Sequence, residues 1–126
     1  MSSDSSSKDS QPLTKQVCEA CRPDAPLVSA SEQEELLVEL SGWVIIVEKN
    51  ASQQNVQQLS KEYKFSNFVN ALAFANGVGG LAEDVGHHPA ILTEWGKVTI
   101  RWWSHEIGGL HKNDFIMAAK TDLIIK

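Results

Sequence analysis

Residues 87–105, HHPAILTEWGKVTIRWWSH, decide the fold of this chain. Within them, ILTEW and KVTIRWW are rich in β-branched and aromatic residues and meet at Gly96, which predicts two antiparallel strands joined by a tight turn. Successive residues of a strand alternate between its two faces. Val98, Ile100 and Trp102 therefore share the more apolar face, and we expect this face to pack against the core.

Helices are predicted before, between and after two such strand pairs. The other pair is formed by WVIIVE, a β-branched run, and QLSKEYKF, in which apolar and polar residues alternate. The first helix opens with a Ser-x-x-Glu capping box at Ser29 or Ser31 and stops near Gly42. The second follows a cap at Ser66, and the third runs from about Lys112. This order predicts an α+β domain with two layers, a four-stranded antiparallel sheet and helices on one face.

The second predicted helix contains the sequence NGVGG. Inside a helix, Gly77, Gly79 and Gly80 would each cost up to about 1 kcal/mol relative to alanine. Helix propensity alone therefore predicts that this helix ends near Asn76.

The first 28 residues are rich in Ser, Asp, Pro and charge and have almost no periodic apolar signal. Such a segment cannot offset the entropy of ordering its backbone, so we expect a flexible tail over 1–28 and a folded domain over 29–126. Cys18 and Cys21 form a single C-x-x-C in this tail, which offers half a zinc site or one redox pair at most. Free thiols are the favoured interpretation, and the role of the two cysteines stays open.

Charge and hydropathy exclude some classes of function. The formal net charge is −5, whereas a nucleic-acid surface needs a clustered excess of Lys and Arg. No apolar run approaches the roughly 20 residues needed to span a bilayer, and no signal peptide is recognisable. We expect a soluble, cytoplasmic protein that binds neither nucleic acid nor membrane.

Three of the four histidines lie in the opening stretch, and His111 follows. Metal binding is disfavoured, because adjacent residues such as His87 and His88 point in divergent directions. An antiparallel hairpin brings its open ends together, so His87, His88 and His105 could line one pocket. Histidine can give or take a proton near neutral pH, which favours acid/base work on a small polar substrate. The alternative, favoured for His111, is a purely structural histidine.

Two carboxylates could orient these imidazoles. Glu83 precedes His87 by one helical turn if the second helix continues. Asp114 follows His111 by three residues, near a helix N-terminus that favours its anionic form. We expect both carboxylates near the open end of the hairpin.

A longer pattern spans the second half of the chain. It consists of Glu83-x-x-x-His87-His88-Pro89, Trp95, Lys97-Val98, Ser104-His105-Glu106, Gly109-Leu110 and Asp114. With Gly42-Trp43 and KEYKFSNF, it covers about residues 29–125 and resembles the pterin-4a-carbinolamine dehydratase family, whose animal members also act as dimerisation cofactors.

The resemblance implies a hydro-lyase, a 4a-hydroxytetrahydrobiopterin dehydratase. It would convert 4a-hydroxytetrahydropterin to quinonoid dihydropterin and water, and so support tetrahydropterin recycling for an aromatic amino acid hydroxylase such as phenylalanine hydroxylase. The pterin would be the substrate, and no metal or organic cofactor is implied. The resemblance also implies a homodimer or homotetramer. The alternative function is a non-catalytic interaction or stabilising factor with the same fold.

The resemblance also assigns roles to residues by position. His87 and His105 would be the acid/base pair and His88 a third catalytic histidine that orients the substrate. Trp43 would form an aromatic wall, although core packing is an equal alternative. The family fold requires the helix before Glu83 to continue through its glycines, and His111 stands where a stronger Ser or Thr cap is usual. The substrate-binding set is Trp43, Glu83, His87, His88, Pro89, Trp103, Ser104, His105, Glu106 and Asp114.

Overall fold

A computed structural model describes residues 12–16 and 26–124 of the chain. Three helices and four strands follow one another in the predicted order, which confirms the α+β class. These elements are α1 Ala30–Leu37, β1 Val44–Lys49, β2 Asn55–Lys64, α2 Phe68–Val85, β3 Ala90–Glu94, β4 Lys97–Trp102 and α3 Lys112–Asp122.

The four strands form one antiparallel sheet in the order β1-β2-β4-β3. The predicted hairpin is β3 and β4, and Ala90 pairs with Arg101 at its open end. If the same register is continued beyond the hydrogen-bonded strands, His87 comes opposite Ser104. The strand pairing thus places His87 and His88, before β3, at the same end of the hairpin as His105, after β4.

One face of the sheet packs against the helices. Val98, Ile100 and Trp102, the face predicted to be apolar, are fully buried and belong to the main core cluster. Phe74 of α2 and Phe115 of α3 lie in the same cluster. Burying each such side chain contributes about 1.5 to 3 kcal/mol, so these contacts fix the position of both helices on the sheet.

Helix α2 does not end near Asn76, and the prediction from propensity is wrong there. The helix continues through NGVGG to Val85, as the family resemblance requires, and Gly86 ends it in the left-handed conformation with φ 72°. Gly77 permits close packing, since a Cβ there would lie 2.9 Å from Cγ2 of Ile124. Burial of an apolar stripe outweighs the propensity cost of the glycines, and that stripe consists of Ala71, Phe74, Ala75, Val78 and Ala82.

The first two helix caps follow the predicted chemistry with one shift in position. Ser29 caps α1 and accepts the Glu32 N–H at 3.3 Å. Asn67, rather than Ser66, caps α2 and accepts the Asn70 N–H at 2.8 Å. Both residue types are good N-caps, so the sequence alone could not separate the adjacent candidates.

Part of the predicted tail packs on the domain. Leu13, in a short 3-10 turn over Leu13–Lys15, is fully buried in the core, and its N–H donates to Oε1 of Glu39 at 3.0 Å. Val28 donates its N–H to the Leu110 carbonyl at 2.9 Å. These contacts differ from the expectation of a flexible segment over 1–28. Cys18 and Cys21 lie outside the described residues.

Within residues 12–16 and 26–124, no helix combines the length and apolar character that crossing a membrane requires.

Candidate active site

His87 is held against a buried carboxylate. It follows the left-handed Gly86 at the end of α2, and its Nε2 lies 2.6 Å from Oδ1 of Asp114. The His87 ring also stacks on Trp102, with 5.4 Å between ring centroids and 28° between planes. His87 is 7% exposed and Asp114 is 0% exposed. The imidazole is therefore restrained both by a hydrogen bond and by an aromatic face.

The Asp114 carboxylate accepts from three groups. Its Oδ2 accepts from Oγ of Ser104 at 2.8 Å and from the backbone N–H of His111 at 2.9 Å, and Oδ1 faces His87. Asp114 lies in the first turn of α3, where the helix dipole favours the anion. Because an ionised carboxylate only accepts, the proton of neutral His87 belongs on Nε2, and Nδ1 presents a lone pair. We call His87, Ser104, Asp114 and the His111 backbone the His87 cluster.

His111 forms the N-cap of α3 with its ring nitrogen. Its Nδ1 accepts the Asn113 N–H at 3.0 Å, while its own N–H donates to Asp114. This reciprocal arrangement is a capping box built on an imidazole. The capping hydrogen bond that Ser or Thr would supply is therefore present in α3, because an unprotonated ring nitrogen can replace a hydroxyl oxygen as acceptor.

His88 pairs with Glu83 at the protein surface. The Nε2 of His88 lies 2.8 Å from Oε1 of Glu83, and the side chains are 61% and 81% exposed. Glu83 reaches this position because α2 continues past its glycines. Pro89, half-buried, then leads the chain into β3. A hydrogen bond between two exposed side chains contributes only modestly to stability, so His88 can contact a ligand at small structural cost.

His105 lies in a tight turn after β4. Ser104 and Gly109 bridge the ends of this turn, with 2.8 Å from the Ser104 N–H to the Gly109 carbonyl, and Glu106 is exposed within it. The exposed His105 ring packs on half-buried Trp103, with 4.3 Å between ring centroids. Within residues 26–124, no hydrogen bond or ring contact joins any two of His87, His88 and His105. The hairpin end thus holds three separately anchored histidines.

Trp43 lies in a different cluster. Its buried indole donates Nε1–H to Asp122, at 3.2 Å to each carboxylate oxygen. Oδ1 of Asp122 also accepts from the Tyr63 hydroxyl at 2.5 Å and from Lys61 Nζ at 2.9 Å. Asp122 follows Asp114 by eight residues, or about 12 Å along the helix axis. The structure therefore shows Trp43 as a core residue of what we call the Tyr63 cluster, and does not bring it to His87.

The Tyr63 hydroxyl stays protonated in this cluster. Burial raises the pKa of Tyr63, and the hydrogen bond to Asp122 and the negative charge of that carboxylate raise it further. The phenol is consequently a fixed hydrogen-bond donor at neutral pH and not an acid/base group.

Sequence reasoning missed two features of these clusters. It placed Ser104 and Asp114 in the substrate-binding set, whereas both are fully buried and bond each other beside His87. It did not identify Asp122 at all, because nothing near it in the chain marks it. For Ser104 the signal was available, since the hairpin register places it opposite His87.

Within the part of the chain that the structure describes, no group of three or more His, Cys, Asp or Glu side chains is arranged to hold a metal ion.

Known proteins match the chain over almost all of its described length. The family described as pterin 4 alpha carbinolamine dehydratase matches residues 26–124. A protein of Nitrosococcus oceani is 56% identical over 114 residues, which cover 90% of this chain and 96% of that protein. A protein of Marinobacter nauticus is 56% identical over 110 residues, which cover 87% and 95%. Both are named, provisionally, as pterin-4-alpha-carbinolamine dehydratases.

A solved structure shares the fold. The chain aligns with a transcriptional coactivator/pterin dehydratase from Brucella melitensis with a TM-score of 0.66 and 26% identity, covering 80% of this chain and 100% of that one. The names and identities of the relatives confirm the predicted hydro-lyase class. This chain belongs to the pterin 4 alpha carbinolamine dehydratase family.

Proposed function

We propose that this protein dehydrates 4a-hydroxytetrahydropterin to quinonoid dihydropterin and water by histidine acid/base catalysis. The observation that carries the proposal is the buried contact of 2.6 Å between His87 and Asp114, which leaves one ring nitrogen of His87 for a substrate. The names of the relatives support the substrate class. No metal or organic cofactor is part of the proposal.

The proposed reaction needs one base and one acid. Nδ1 of His87 takes the proton from N5 of the pterin, and the Asp114 anion stabilises the resulting imidazolium. The C4a–O bond breaks as the nitrogen lone pair forms the C4a=N5 double bond. His105 gives a proton to the departing hydroxide, which leaves as water. One proton is taken and one is given, so no oxidant or reductant is required.

The remaining predicted residues would bind and orient the ring. His88, held by Glu83, offers its second ring nitrogen to the substrate, which fits its proposed orienting role. Trp103 offers an aromatic surface beside His105. Pro89 and Glu106 flank these positions in the chain. Ser104 and Asp114 would act through His87, because the Ser104 hydroxyl bonds Asp114 and Asp114 bonds His87. Trp43, which bonds Asp122 in the Tyr63 cluster, is not part of the proposed site.

The test is a dehydration assay on purified protein treated with a chelator. We expect activity to survive chelation, and His87→Ala and His105→Ala each to lower kcat by about 10²–10⁴-fold, the range for removal of a general acid or base. Val38→Ala, at an exposed position on the end of α1, is the control and should retain full activity. Normal turnover in both histidine variants would contradict the proposal.

We further propose that the product feeds tetrahydropterin recycling for an aromatic amino acid hydroxylase, with phenylalanine hydroxylase as the expected candidate. A homodimer or homotetramer is also proposed, and the exposed apolar side chains of Phe68, Val69 and Leu72 on α2 support it. Sedimentation analysis checks the assembly, and a monomer at micromolar concentration would contradict it. The cytoplasmic location stays a prediction.

A second candidate function is that of an interaction factor. The relative from Brucella melitensis is named as a transcriptional coactivator as well as a pterin dehydratase, which favours this alternative. An interaction factor would show no dehydration above the uncatalysed rate in the wild-type protein. In that case the histidine substitutions would leave the binding of its protein partner unchanged.

A further inference from the structure

Ser104 is fully buried, and its N–H, carbonyl and hydroxyl groups all form hydrogen bonds. Its N–H donates to the Gly109 carbonyl at 2.8 Å, and its carbonyl accepts from Gly108 at 3.0 Å. Its hydroxyl donates to Oδ2 of Asp114 at 2.8 Å. Ser104 is 0% exposed, so these contacts, and not a substrate, satisfy it.

The hydroxyl contact restrains the carboxylate that faces His87. Terminal torsions of Asp side chains have broad preferences, so the plane of a carboxylate depends on its hydrogen-bond donors. Ser104 and the His111 N–H both occupy Oδ2 of Asp114, which leaves Oδ1 for Nε2 of His87. Without the hydroxyl, Oδ2 keeps a single donor and the carboxylate can turn.

The backbone of Ser104 restrains the other proposed proton-transfer group. The antiparallel bridge between Ser104 and Gly109 closes the turn that carries His105. Ser104 therefore anchors both histidines of the proposed acid/base pair. The Ser104 side chain anchors His87 by way of Asp114, and the Ser104 main chain anchors the turn that carries His105.

We propose that Ser104 is a positioning residue for the proposed dehydration: its hydroxyl holds Asp114 so that His87 keeps the orientation and tautomer needed for proton transfer. Ser104 does not touch the substrate and acts only through Asp114. The inference rests on the proposed function for its kinetic consequence, but the state of the His87 ring can be measured without turnover.

The test compares Ser104→Ala with Ser104→Thr. Alanine removes the hydroxyl, whereas threonine keeps it and is well accepted in extended backbone. Ser60→Ala is the matched control, because Ser60 is a buried serine on β2 and, among the described residues, no hydrogen bond joins it to the His87 cluster. Each variant is assayed for kcat and KM and examined by proton NMR for the hydrogen-bonded Nε2–H of His87.

We expect Ser104→Ala to lower kcat about tenfold or more, with KM changed less than kcat, as outer-shell partners of functional histidines do in metal sites. The Nε2–H signal should shift or broaden in this variant. Ser104→Thr should restore both the rate and the signal, and Ser60→Ala should match the wild-type protein.

Wild-type kcat together with an unchanged His87 signal in Ser104→Ala would overturn the proposal. If that variant does not fold, Ser104→Cys replaces it, because a thiol is nearly isosteric and only a weak donor. A Cys variant with full activity and an unchanged signal would also overturn it. If the wild-type protein is inactive, the proposed function fails, while the NMR comparison still decides whether Ser104 positions His87.

Discussion

Two aspartates at opposite ends of α3 each collect three hydrogen-bond donors, yet their chemistry differs. Asp114 is fully buried in the first turn and faces His87. The Asp122 side chain is 29% exposed in the last turn and accepts from Trp43, Lys61 and Tyr63. The helix dipole favours an anion at the first position and disfavours it at the second, where the cation of Lys61 offsets the effect.

The partners decide what each carboxylate can do. His87 has a second ring nitrogen that can exchange a proton, so the His87 cluster is suited to catalysis. Tyr63 has a raised pKa and stays protonated, and the donors of the Tyr63 cluster tie three segments of the chain together. The two carboxylates therefore differ in the chemistry of their partners: an imidazole can accept or donate a proton, whereas the Tyr63 phenol stays protonated.

The largest expected effect comes from making the same Asp→Asn substitution in each of the two clusters. Asp114→Asn removes the anion that stabilises the His87 imidazolium, and we expect kcat to fall by about 10³–10⁴-fold, by analogy with the triad carboxylate of serine proteases. Asp122→Asn should leave kcat within about twofold and lower the free energy of unfolding by about 1–3 kcal/mol. Steady-state dehydration and urea unfolding measure the two effects. Equal kinetic losses in both variants would erase the distinction.

A smaller effect concerns Tyr63 and pH. The pKa of Tyr63 is raised in the folded state, so the unfolded chain ionises first, above about pH 10, and stability falls as pH rises further. Tyr63→Phe should lower the free energy of unfolding by about 0.5–1.5 kcal/mol at pH 7. Between about pH 9 and pH 11, the variant should lose less stability than the wild-type protein. Urea unfolding at each pH measures this. Parallel alkaline losses in the two proteins would show that Tyr63 is not buried and bonded as described.

The smallest effect tests packing at the Asp122 end of α3. The Cβ added by Gly80→Ala would lie in open space, with no atom of a neighbouring segment within 4 Å. This variant should raise the free energy of unfolding by about 0.5–1 kcal/mol. At Gly77 the added Cβ would lie 2.9 Å from Ile124, two residues after Asp122, so this gain should be absent or reversed. Thermal unfolding compares the two variants. Equal stabilisation by both would mean that Ile124 yields without cost.

Much of the site was predictable because its signals are local. The glycine turn in the β3–β4 hairpin, the alternation along KVTIRWW and the spacing from Glu83 to Pro89 lie within short stretches of sequence. They placed the three histidines at one end of a hairpin. The low helix propensity of NGVGG is equally local, but it predicted the wrong end for α2. The cost of about 1 kcal/mol for each glycine is smaller than the free energy gained by burying the apolar stripe on the same helix.

The sequence by itself determined the order of elements, the apolar face of β4 and the family motif around His87 and His88. Those features depend on residues that are close together in the chain. The tertiary structure alone decided that Trp43 bonds Asp122 across 79 positions and that Leu13 enters the core. Such contacts join distant segments and form only when the buried faces pack, so no periodicity or cap in the sequence announces them.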